Sequence, residues 1–535
     1  HINGQSIHDI LAKLQRFVGG ETAHLRQQFI AGRFSLFLWA VTDMLDEFEL
    51  GLTVDDKSVF TLVNVGQNWQ KQETMLQIYN TLTKEKAPFK PLEEGKIKMY
   101  VCGMTVYDYC HIGHARVMVS FDVITRYLRA RGWDVEYVRN ITDVDDKIIR
   151  RAAENGEEPA QLTERMIAAM HEDEDSLSVL RPSQEPRATA HIGDIIEMVE
   201  TLIEKGFAYA ASNGDVYYRV ERFADYGKLT NKNVDELRSG ARVEVEEAKE
   251  SPLDFVLWKS AKEGEVSWES PWGNGRPGWH IECSAMSKCC LGASFDIHGG
   301  GPDLPFPHHE NEIAQSEAAN GAKYVNTWMH AGPVRVNKEK MSKSLGNFFT
   351  IRDVLEKYNA EVVRYFLSGV HYRSYIDYSE DTLKEARSAL ERFYQALRGV
   401  ELVDAKPEND FEQRFFAAMD DDFNTPKALA VLFELVNELN KASRSGSDEA
   451  GKLAAQLKRL AGMLGLLQQE PDAFLKGEDK EGELSSDQIE ALIVKRAEAK
   501  ANKDYAESDR IRDELAGQGI ILKDSREGTT WFREG

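Results

Sequence analysis

The chain has 535 residues, of which 42% are hydrophobic and 29% are charged, and its formal net charge is −23. A chain of this length is too long to fold around one hydrophobic core, so several domains of roughly 100–200 residues each are expected. The negative charge is unfavourable for indiscriminate nucleic-acid binding, because attraction to phosphates requires positive potential. Any RNA contact must therefore use locally basic surface. The longest apolar stretch, FSLFLWAV, is too short to cross a bilayer, so no membrane segment is expected.

The cysteines form an odd and sparse set. Such a set argues against a disulfide framework and for a reducing cytoplasm. Their thiols are expected to be free for metal binding or packing. The five residues are Cys102, Cys110, Cys283, Cys289 and Cys290.

The elements change character along the chain. Residues 1–74 combine a helix-like SIHDILAKLQRFV with a strand-like SVFTLVNVG, and no chemistry is assigned to them. From about residue 96, apolar strands alternate with helical patterns, which predicts a parallel βαβ sheet. These segments are KMYVCGM, residues 115–131, DVEYVRNIT and residues 145–155. Between about 190 and 275 the pattern changes to strands and loops, typical of an insertion.

Helical patterns dominate the last third of the chain. Apolar residues recur three and four positions apart, which predicts a helical bundle. The predicted helices cover residues 383–397, 409–419, 426–443 and 453–467. The charged stretch KGEDKEGELSSD then indicates a linker to a small terminal module.

Two short motifs indicate the chemistry. HIGH at residues 111–114 lies where the first predicted strand turns into a helix, and KMSKS at residues 340–344 follows another extended segment. A helix N-terminus after a strand is a favourable phosphate site, and the KMSKS lysines supply positive charge on what should be a mobile loop. Either motif alone is unspecific, but the ordered pair resembles the signature of class I aminoacyl-tRNA synthetases. That resemblance implies ATP-dependent activation of an amino acid.

A third constellation predicts a metal site. Cys102 ends the first strand, Cys283 lies in GRPGWHIECSAM, and His308 and Glu312 lie in GGGPDLPFPHHENEIAQ. Pro307 suits the first turn of a helix, and the fourfold spacing then puts His308 and Glu312 on one face. Two thiolates, an imidazole and a carboxylate favour zinc over magnesium or calcium. His309 is a competitor, because spacing alone does not decide between the two imidazoles.

The motifs YVCGxTxYDxCHIGHAR, GWHIECSAM and GGGxDLxFPHHENE together resemble the cysteinyl-tRNA synthetase family, from about Met75 to the C-terminus. The resemblance implies one Zn²⁺ per chain, held by two Cys, one His and one Glu, and it selects His308. It implies Mg²⁺ with ATP, and L-cysteine and cysteine tRNA as substrates. The implied catalytic residues are His111, His114, Lys340 and Lys343. The implied ATP-binding residues are His111, Gly113, His114, Gly301, Asp303 and Lys343, and the implied cysteine-binding residues are Thr142 and Trp279.

The resemblance also implies a domain order. The expected fold is α/β: a Rossmann-type catalytic domain at 75–349 with a connective insertion at about 190–275. The expected later parts are a stem-contact region at 350–395, an all-α bundle at 396–475 and an anticodon-binding module at 487–535. Residues 1–74 are expected to be an extension, which cloning could have introduced. We expect a cytoplasmic monomer.

The terminal module is expected to contact RNA. From residue 489 a helical pattern bears six cations, and GIILKDSREGTTWFREG follows. Cations for phosphates and an aromatic ring for stacking fit single-stranded RNA. A solvated charged helix is the alternative. The six cations are Lys495, Arg496, Lys500, Lys503, Arg510 and Arg512, and the resemblance to the family's anticodon-binding terminus adds Asp524 and 528–531.

Two rival functions stay open at this point. The first is an ATP-dependent ligase that joins cysteine to an amino sugar, which would keep the zinc and nucleotide sites. The long helical C-terminus argues against it. The second is a catalytically silent RNA-binding paralogue, against which the intact motifs and ligands argue.

Overall fold

The computed structural model describes residues 50–54, 60–64, 75–233, 237, 248–341, 345–405, 407–477, 483–525 and 528–533. The chain divides into two units, residues 1–74 and 75–535. In the first unit, strands β1 (Leu50–Val54) and β2 (Phe60–Asn64) form an antiparallel pair. The predicted strand SVFTLVNVG contains β2, whereas the predicted helix SIHDILAKLQRFV lies outside the described residues.

The second unit begins with the elements that build the active site. In chain order they are β3 (Gln77–Asn80), β4 (Glu85–Pro88), β5 (Lys96–Val101), α1 (Ile112–Ala130), β6 (Asp134–Arg139), α2 (Asp146–Asn155), α3 (Pro159–Ser176), α4 (Ile192–Glu204), β7 (Ala208–Ala210), β8 (Val216–Tyr218), β9 (Phe255–Ser260), β10 (Gly275–Pro277), α5 (Trp279–Leu291), β11 (Phe295–Gly300), α6 (Glu310–Asn320) and β12 (Val325–His330).

A four-stranded parallel sheet forms the centre of this unit. Its order is β12-β11-β5-β6, with every neighbouring pair parallel. Strand β5 leads through α1 into β6 on one side, whereas β11 and β12 lie on the other side. The strand order therefore reverses between β5 and β11, and ligands of open α/β sheets bind outside the carboxyl ends at such a point. The predicted parallel sheet is confirmed.

The insertion has its own sheet and core. Strands β10, β9, β8 and β7 follow in that order with antiparallel pairing. Helix α4 covers this sheet with an apolar face that includes Ile195, Val199 and Leu202. Asp146 of α2 pairs with Arg276 of β10 and Lys259 of β9, which ties the insertion to the nucleotide fold.

The elements after β12 link the catalytic sheet to the helices. They are β13 (Val334–Val336), β14 (Glu339–Lys340), α7 (Ile351–Leu355), α8 (Ala360–Ser368), β15 (Ile376–Tyr378) and α9 (Glu380–Leu397). Strands β13 and β14 form a hairpin, and β15 pairs with β13 in parallel. Asn337 and Lys338, between the hairpin strands, both have positive φ, as tight two-residue hairpin turns require.

The predicted bundle is present with shifted ends. Its helices are α10 (Phe411–Asp420), α11 (Thr425–Ser445), α12 (Glu449–Gly462) and α13 (Pro471–Lys476). Helix α12 ends five residues before the predicted residue 467. Gly465 and Leu467 have positive φ, and a Cβ on Gly465 would lie 2.3 Å from the Arg364 guanidinium. The chain must therefore leave the helix at this point.

The terminal module contains helices α14 (Ser486–Ala501) and α15 (Tyr505–Ala516), followed by the antiparallel strands β16 (Ile520–Ser525) and β17 (Gly528–Arg533). Its small core includes Ile489, Ile511 and Trp531. Across the described part of the chain, no helix combines the length and the apolar character needed to cross a membrane.

Candidate active site and metal centre

The four predicted metal ligands come together at the carboxyl end of the parallel sheet. Cys102 follows β5 directly, Cys283 lies on α5, and Glu312 lies on α6. His308 precedes α6, in an irregular turn that spans Pro305–His309. Helix α6 begins at Glu310, later than Pro307, but His309 and Glu310 both have helical dihedral angles. The fourfold spacing therefore still brings the His308 and Glu312 side chains together.

The donor atoms of these residues form a compact buried cluster. The Cys102 Sγ lies 3.6 Å from the Cys283 Sγ and 3.3 Å from the Glu312 Oε1. The His308 Nε2 lies 3.0 Å from the same carboxylate oxygen. All four donor atoms lie within 4.8 Å of one another, and all four residues are buried. Two sulfurs, one nitrogen and one oxygen at these separations fit a tetrahedral zinc ion.

The competing histidine is also close. A second set of four residues, with His298 and His309 in place of Cys283 and His308, meets the same distance limit. The His309 Nε2 lies 3.8 Å from the Glu312 Oε1, and its Nδ1 lies 2.8 Å from the His330 Nε2. The set with His308 is the one that contains both thiols, which zinc prefers.

Burial and hydrogen bonding shift the pKa values of the clustered side chains. Burial raises the pKa of Glu312, but His298 and His308 outweigh it and hold that pKa well below its usual value. Burial also raises the pKa of Cys283, yet hydrogen bonds with Cys102 and His308 lower it to about 6. Burial and the contact with Cys283 raise the pKa of Cys102 well above its usual value. Two anions therefore share one buried space, and a bound cation would displace the remaining protons.

Residues around the ligands fix their orientation. The Oε2 of Glu312 lies 2.7 Å from the His298 Nε2 and accepts a hydrogen bond from the Tyr324 hydroxyl over 3.0 Å. The His308 Nδ1 lies 2.9 Å from the His280 Nδ1. Asn140 Oδ1 accepts from the backbone N–H of Gly103 over 2.8 Å and lies 3.7 Å from the Cys283 sulfur. These supporting residues are missing from the sequence-based interpretation.

The HIGH motif forms the N-terminus of α1. The His111 Nδ1 accepts from the backbone N–H of Gly113 and His114, while the His114 Nδ1 accepts from the backbone N–H of His111. Burial, with His111 alongside, holds the pKa of His114 well below its usual value, so this ring is neutral. Because each Nδ1 is an acceptor, the ring proton lies on Nε2. Both histidines are thereby prepared as Nε2–H donors.

The KMSKS segment approaches the same helix. Lys340 is exposed at the end of β14, and residues 342–344, including Lys343, lie outside the described residues. A Cβ on Gly113 would lie 3.4 Å from the Met341 Cε, and Ile112 donates its backbone N–H to the Phe349 carbonyl over 3.1 Å. The structure therefore brings the two motifs together, although they are more than two hundred positions apart in the chain.

The glycine run serves internal packing. A Cβ on Gly299 would lie 2.2 Å from the Phe121 ring, and one on Gly300 would lie 2.9 Å from the His309 ring. Gly301 is buried beside Asp303, whose carboxylate is exposed. The first two glycines therefore let α1 and His309 pack against β11.

The predicted cysteine-pocket residues lie near the metal centre. The Trp279 ring is 40% exposed, and its centroid lies 4.1 Å from that of His308 in a stacked arrangement. Thr142 is buried and donates its hydroxyl to the Glu282 Oε2 over 2.9 Å. Burial raises the pKa of Glu282 well above its usual value. Trp279 therefore stacks on a member of the buried donor cluster, whereas Thr142 lies in a buried polar contact.

The terminal module departs from the prediction at its aromatic residues. Trp531 is buried in the module core and donates its indole N–H to Glu490 over 2.7 Å, so the prediction that its ring stacks on RNA is wrong. Arg496 and Lys500 both pair with Asp524. Arg510 and Arg512 pair with acids on their own helix. These four cations are therefore partly neutralised within the module.

Three family profiles match successive parts of this chain. The profile described as tRNA synthetases class I (C) catalytic domain matches residues 88–388, a DALR domain profile matches 414–468, and the Cysteinyl-tRNA ligase anticodon binding domain profile matches 484–531. The crystal structure of Mycobacterium tuberculosis methionyl-tRNA synthetase bound by methionyl-adenylate is similar in fold. It has 16% sequence identity and a TM-score of 0.50, and the match covers 69% of this chain and 90% of that one.

Curated relatives are closer in sequence. The Cysteine--tRNA ligase of Chromohalobacter salexigens is 66% identical over 460 residues, which are 86% of this chain and the whole of that protein. The Cysteine--tRNA ligase of Stutzerimonas stutzeri is 66% identical over 456 residues, 85% of this chain and 99% of that protein.

In this chain a strand of the parallel sheet leads into a helix that begins with HIGH, and a hairpin that carries Lys340 lies beside it. This arrangement defines a class I aminoacyl-tRNA synthetase. The catalytic profile covers more than half of the chain and confirms that class and the predicted fold. The chain belongs to the cysteinyl-tRNA synthetase family and is a ligase of this class.

Proposed function

We propose that this enzyme activates L-cysteine with Mg²⁺–ATP to cysteinyl-adenylate and transfers the cysteinyl group to the 3′-terminal adenosine of cysteine tRNA. One Zn²⁺ per chain, held by Cys102, Cys283, His308 and Glu312, would select cysteine over serine. The single observation that carries this proposal is the convergence of these four donor atoms within 4.8 Å of one another.

The donor set suits the discrimination that the reaction needs. A pocket that senses only a methylene-sized difference provides about 1–3 kcal/mol, or roughly 10- to 200-fold, whereas aminoacylation requires on the order of 10⁴. A bound zinc ion would favour the substrate thiolate, because a thiol with a pKa of about 8.5 deprotonates on coordination far more readily than a hydroxyl. Trp279, stacked on His308, would cover this end of the pocket.

The adenylation step would depend on positioned cations and donors. The substrate carboxylate would attack the α-phosphate, while the Nε2–H groups of His111 and His114 donate to the phosphates. Lys340 and Lys343 would neutralise the departing pyrophosphate. Gly113, Gly301 and Asp303 would complete the nucleotide site. No protein nucleophile is required, because the 2′-hydroxyl of the terminal adenosine would attack the adenylate.

The three profile matches support the following division of labour. Residues 75–349 would carry the chemistry, with the insertion at about 190–275, and residues 350–395 would contact the tRNA stem. Residues 396–475 and 487–535 would form the bundle and the anticodon-binding module. We place the enzyme in the cytoplasm as a monomer, and residues 1–74 outside the catalytic unit.

Replacement of a thiol ligand tests the zinc proposal. Cys283→Ser should lose bound zinc and raise the cysteine concentration needed for cysteine-dependent ATP–pyrophosphate exchange, because one of two sulfur donors is gone. ATP binding should be largely unchanged, since His111, His114 and Lys340 are intact. Zinc content by elemental analysis and ATP affinity by calorimetry are the measurements.

Cys290→Ser is the matched control, because Cys290 lies on the same helix α5 outside the metal cluster. It should keep its zinc and its cysteine dependence. Unchanged zinc content in Cys283→Ser would refute the ligand assignment. Cysteine transfer to an amino sugar, with none to transcribed cysteine tRNA, would instead support the rival ligase.

A further inference from the structure

We propose a second zinc site on the outer surface of the catalytic domain, formed by His191, Asp194 and Cys289. It lies where the first helix of the insertion, α4, meets helix α5, which also carries Cys283. This site is separate from the buried cluster and would bind an additional borderline-soft divalent cation.

The three donor groups converge from two helices. His191 precedes α4, Asp194 lies in the first turn of that helix, and Cys289 lies near the end of α5. The His191 Nδ1 lies 2.7 Å from the Asp194 Oδ2. One donor atom from each of the three residues lies within 4.8 Å of the other two, and Cys289 is exposed. A solvated ion can therefore enter without unfolding either helix.

Local charge favours a cation here. Burial raises the pKa of the Cys289 thiol, and the negative charge of the Asp194 carboxylate raises it further. Among the described residues, Asp194 has no lysine or arginine partner, and it pairs with His191. Lys288 of α5 pairs with Glu197 of α4 at 3.7 Å, so this lysine neutralises a different acid. Among the described residues, no lysine or arginine therefore competes with a metal for the carboxylate of Asp194.

A second cluster of possible donors differs, because arginines already neutralise its carboxylates. His171, Glu174 and Glu185 also converge within 4.8 Å. The guanidinium of Arg139 contacts both of those carboxylates, and Arg181 also pairs with Glu174. The cation requirement of that cluster is already met by arginine, so it carries no metal proposal.

The donor chemistry selects the ion. Imidazole, carboxylate and thiolate are all zinc ligands, and the thiolate disfavours magnesium and calcium. Three protein ligands leave a fourth position for water, which is typical of an accessible zinc site rather than a closed structural one. Binding requires deprotonation of Cys289, so it would release a proton.

Protection of the Cys289 thiol tests the proposal on the zinc-loaded, full-length enzyme. With free Zn²⁺ at about ten times the dissociation constant, alkylation of Cys289 by iodoacetamide should slow about tenfold. Equilibrium dialysis should show one further zinc ion per chain. Mg²⁺ should give neither effect. Peptide mass spectrometry reads each thiol separately.

Two variants of the proposed site, and the neighbouring thiol as a control, complete the test. His191→Gln should remove the zinc protection of Cys289, and Cys289→Ala should remove the additional ion, while both keep the buried zinc and basal exchange activity. Cys290, the adjacent residue, should show no zinc-dependent protection. Equal protection of both thiols, or an additional ion retained by Cys289→Ala, would overturn the proposal.

Discussion

The two carboxylate oxygens of Glu312 have different surroundings. Oε1 faces the Cys102 sulfur and the His308 ring, whereas Oε2 is held by His298 and by the Tyr324 hydroxyl. Such outer contacts orient a metal ligand and tune its basicity. The position of Oε1 in the proposed metal site therefore depends on residues outside the proposed ligand set.

Removal of the Tyr324 hydroxyl should weaken zinc binding without removing a ligand. Tyr324→Phe deletes the hydrogen bond to the Oε2 of Glu312, and loss of such an outer contact typically costs about 10- to 100-fold in metal affinity. The expected result is a zinc dissociation constant raised by that factor, measured by competition with a chelator.

Ser287→Ala is the matched control, because the Ser287 hydroxyl lies 2.7 Å from the same tyrosine oxygen and does not contact Glu312. Its zinc affinity should stay close to that of the unaltered protein. If both variants lose zinc equally, the tyrosine acts through packing rather than through Glu312.

Sequence reasoning singled out the four residues whose donor atoms converge, but it missed the residues that orient them. Residue type and spacing single out a thiol pair with His308 and Glu312. His298 arrives through the register of β11, where it pairs with Tyr100 of β5 and Trp328 of β12. Strand register depends on long-range pairing, so no local pattern places His298 beside Glu312.

Helix α1 links the active site to the helical region. His111 caps the N-terminus of this helix, and the middle of the helix holds Asp122, whose carboxylate contacts the guanidinium of Arg364 on α8. Arg364 also donates to the carbonyls of Leu464 and Leu177, each over 2.9 Å. This buried ion pair therefore joins the helix that begins with HIGH, helix α8 and the end of the bundle.

Breaking this pair should destabilise the enzyme strongly. Arg364→Met leaves Asp122 buried with fewer partners, and loss of one member of a buried ion pair costs about 3–5 kcal/mol. The midpoint of denaturant unfolding should fall accordingly. The double variant Asp122→Asn/Arg364→Met should lose less, because it removes the buried charge of Asp122 and leaves only the partly exposed Arg126 without its carboxylate partner.

Lys452→Met provides the surface comparison. Lys452 pairs with Glu449 on the exposed side of α12, and its loss should change the free energy of unfolding by no more than about 0.5 kcal/mol. A double variant as unstable as Arg364→Met would show that the arginine matters through packing and not through its charge.

Element-level patterns predicted the helices better than their ends. The apolar spacing of α10 and α11 located both helices to within about two residues. It extended α12 too far, because Leu464, Leu466 and Leu467 are buried beyond the helix end and continue its apolar pattern. The helix ends in a glycine cap, in which Gly465 has positive φ and the Leu466 N–H donates to the Ala461 carbonyl over 3.0 Å, and apolar periodicity does not contain this signal.

At the scale of the whole molecule, a chain of net charge −23 must bind a polyanion. The paired arginines of α15 provide little net positive charge. A cavity of about 490 Å³ between α9 and the strands β16 and β17 is lined by Lys384, Arg387 and Arg392, with Glu391 as its acid. It lies at the junction between the catalytic region and the terminal module, where a long RNA that reaches both would pass.

Charge reversal at this junction should weaken tRNA binding and leave amino-acid activation unchanged. Lys384 is exposed, so Lys384→Glu should leave folding and cysteine-dependent ATP–pyrophosphate exchange unchanged. It should raise the KM for cysteine tRNA and reduce the slope of log affinity against log salt by about 1–2, because one phosphate contact is lost and a like charge is added. Lys441→Glu, on the exposed side of α11 where Lys441 pairs with Glu438, is the control and should keep both values. An unchanged salt slope in Lys384→Glu would exclude this face from the RNA path, and the tRNA would then have to reach the anticodon module across another surface.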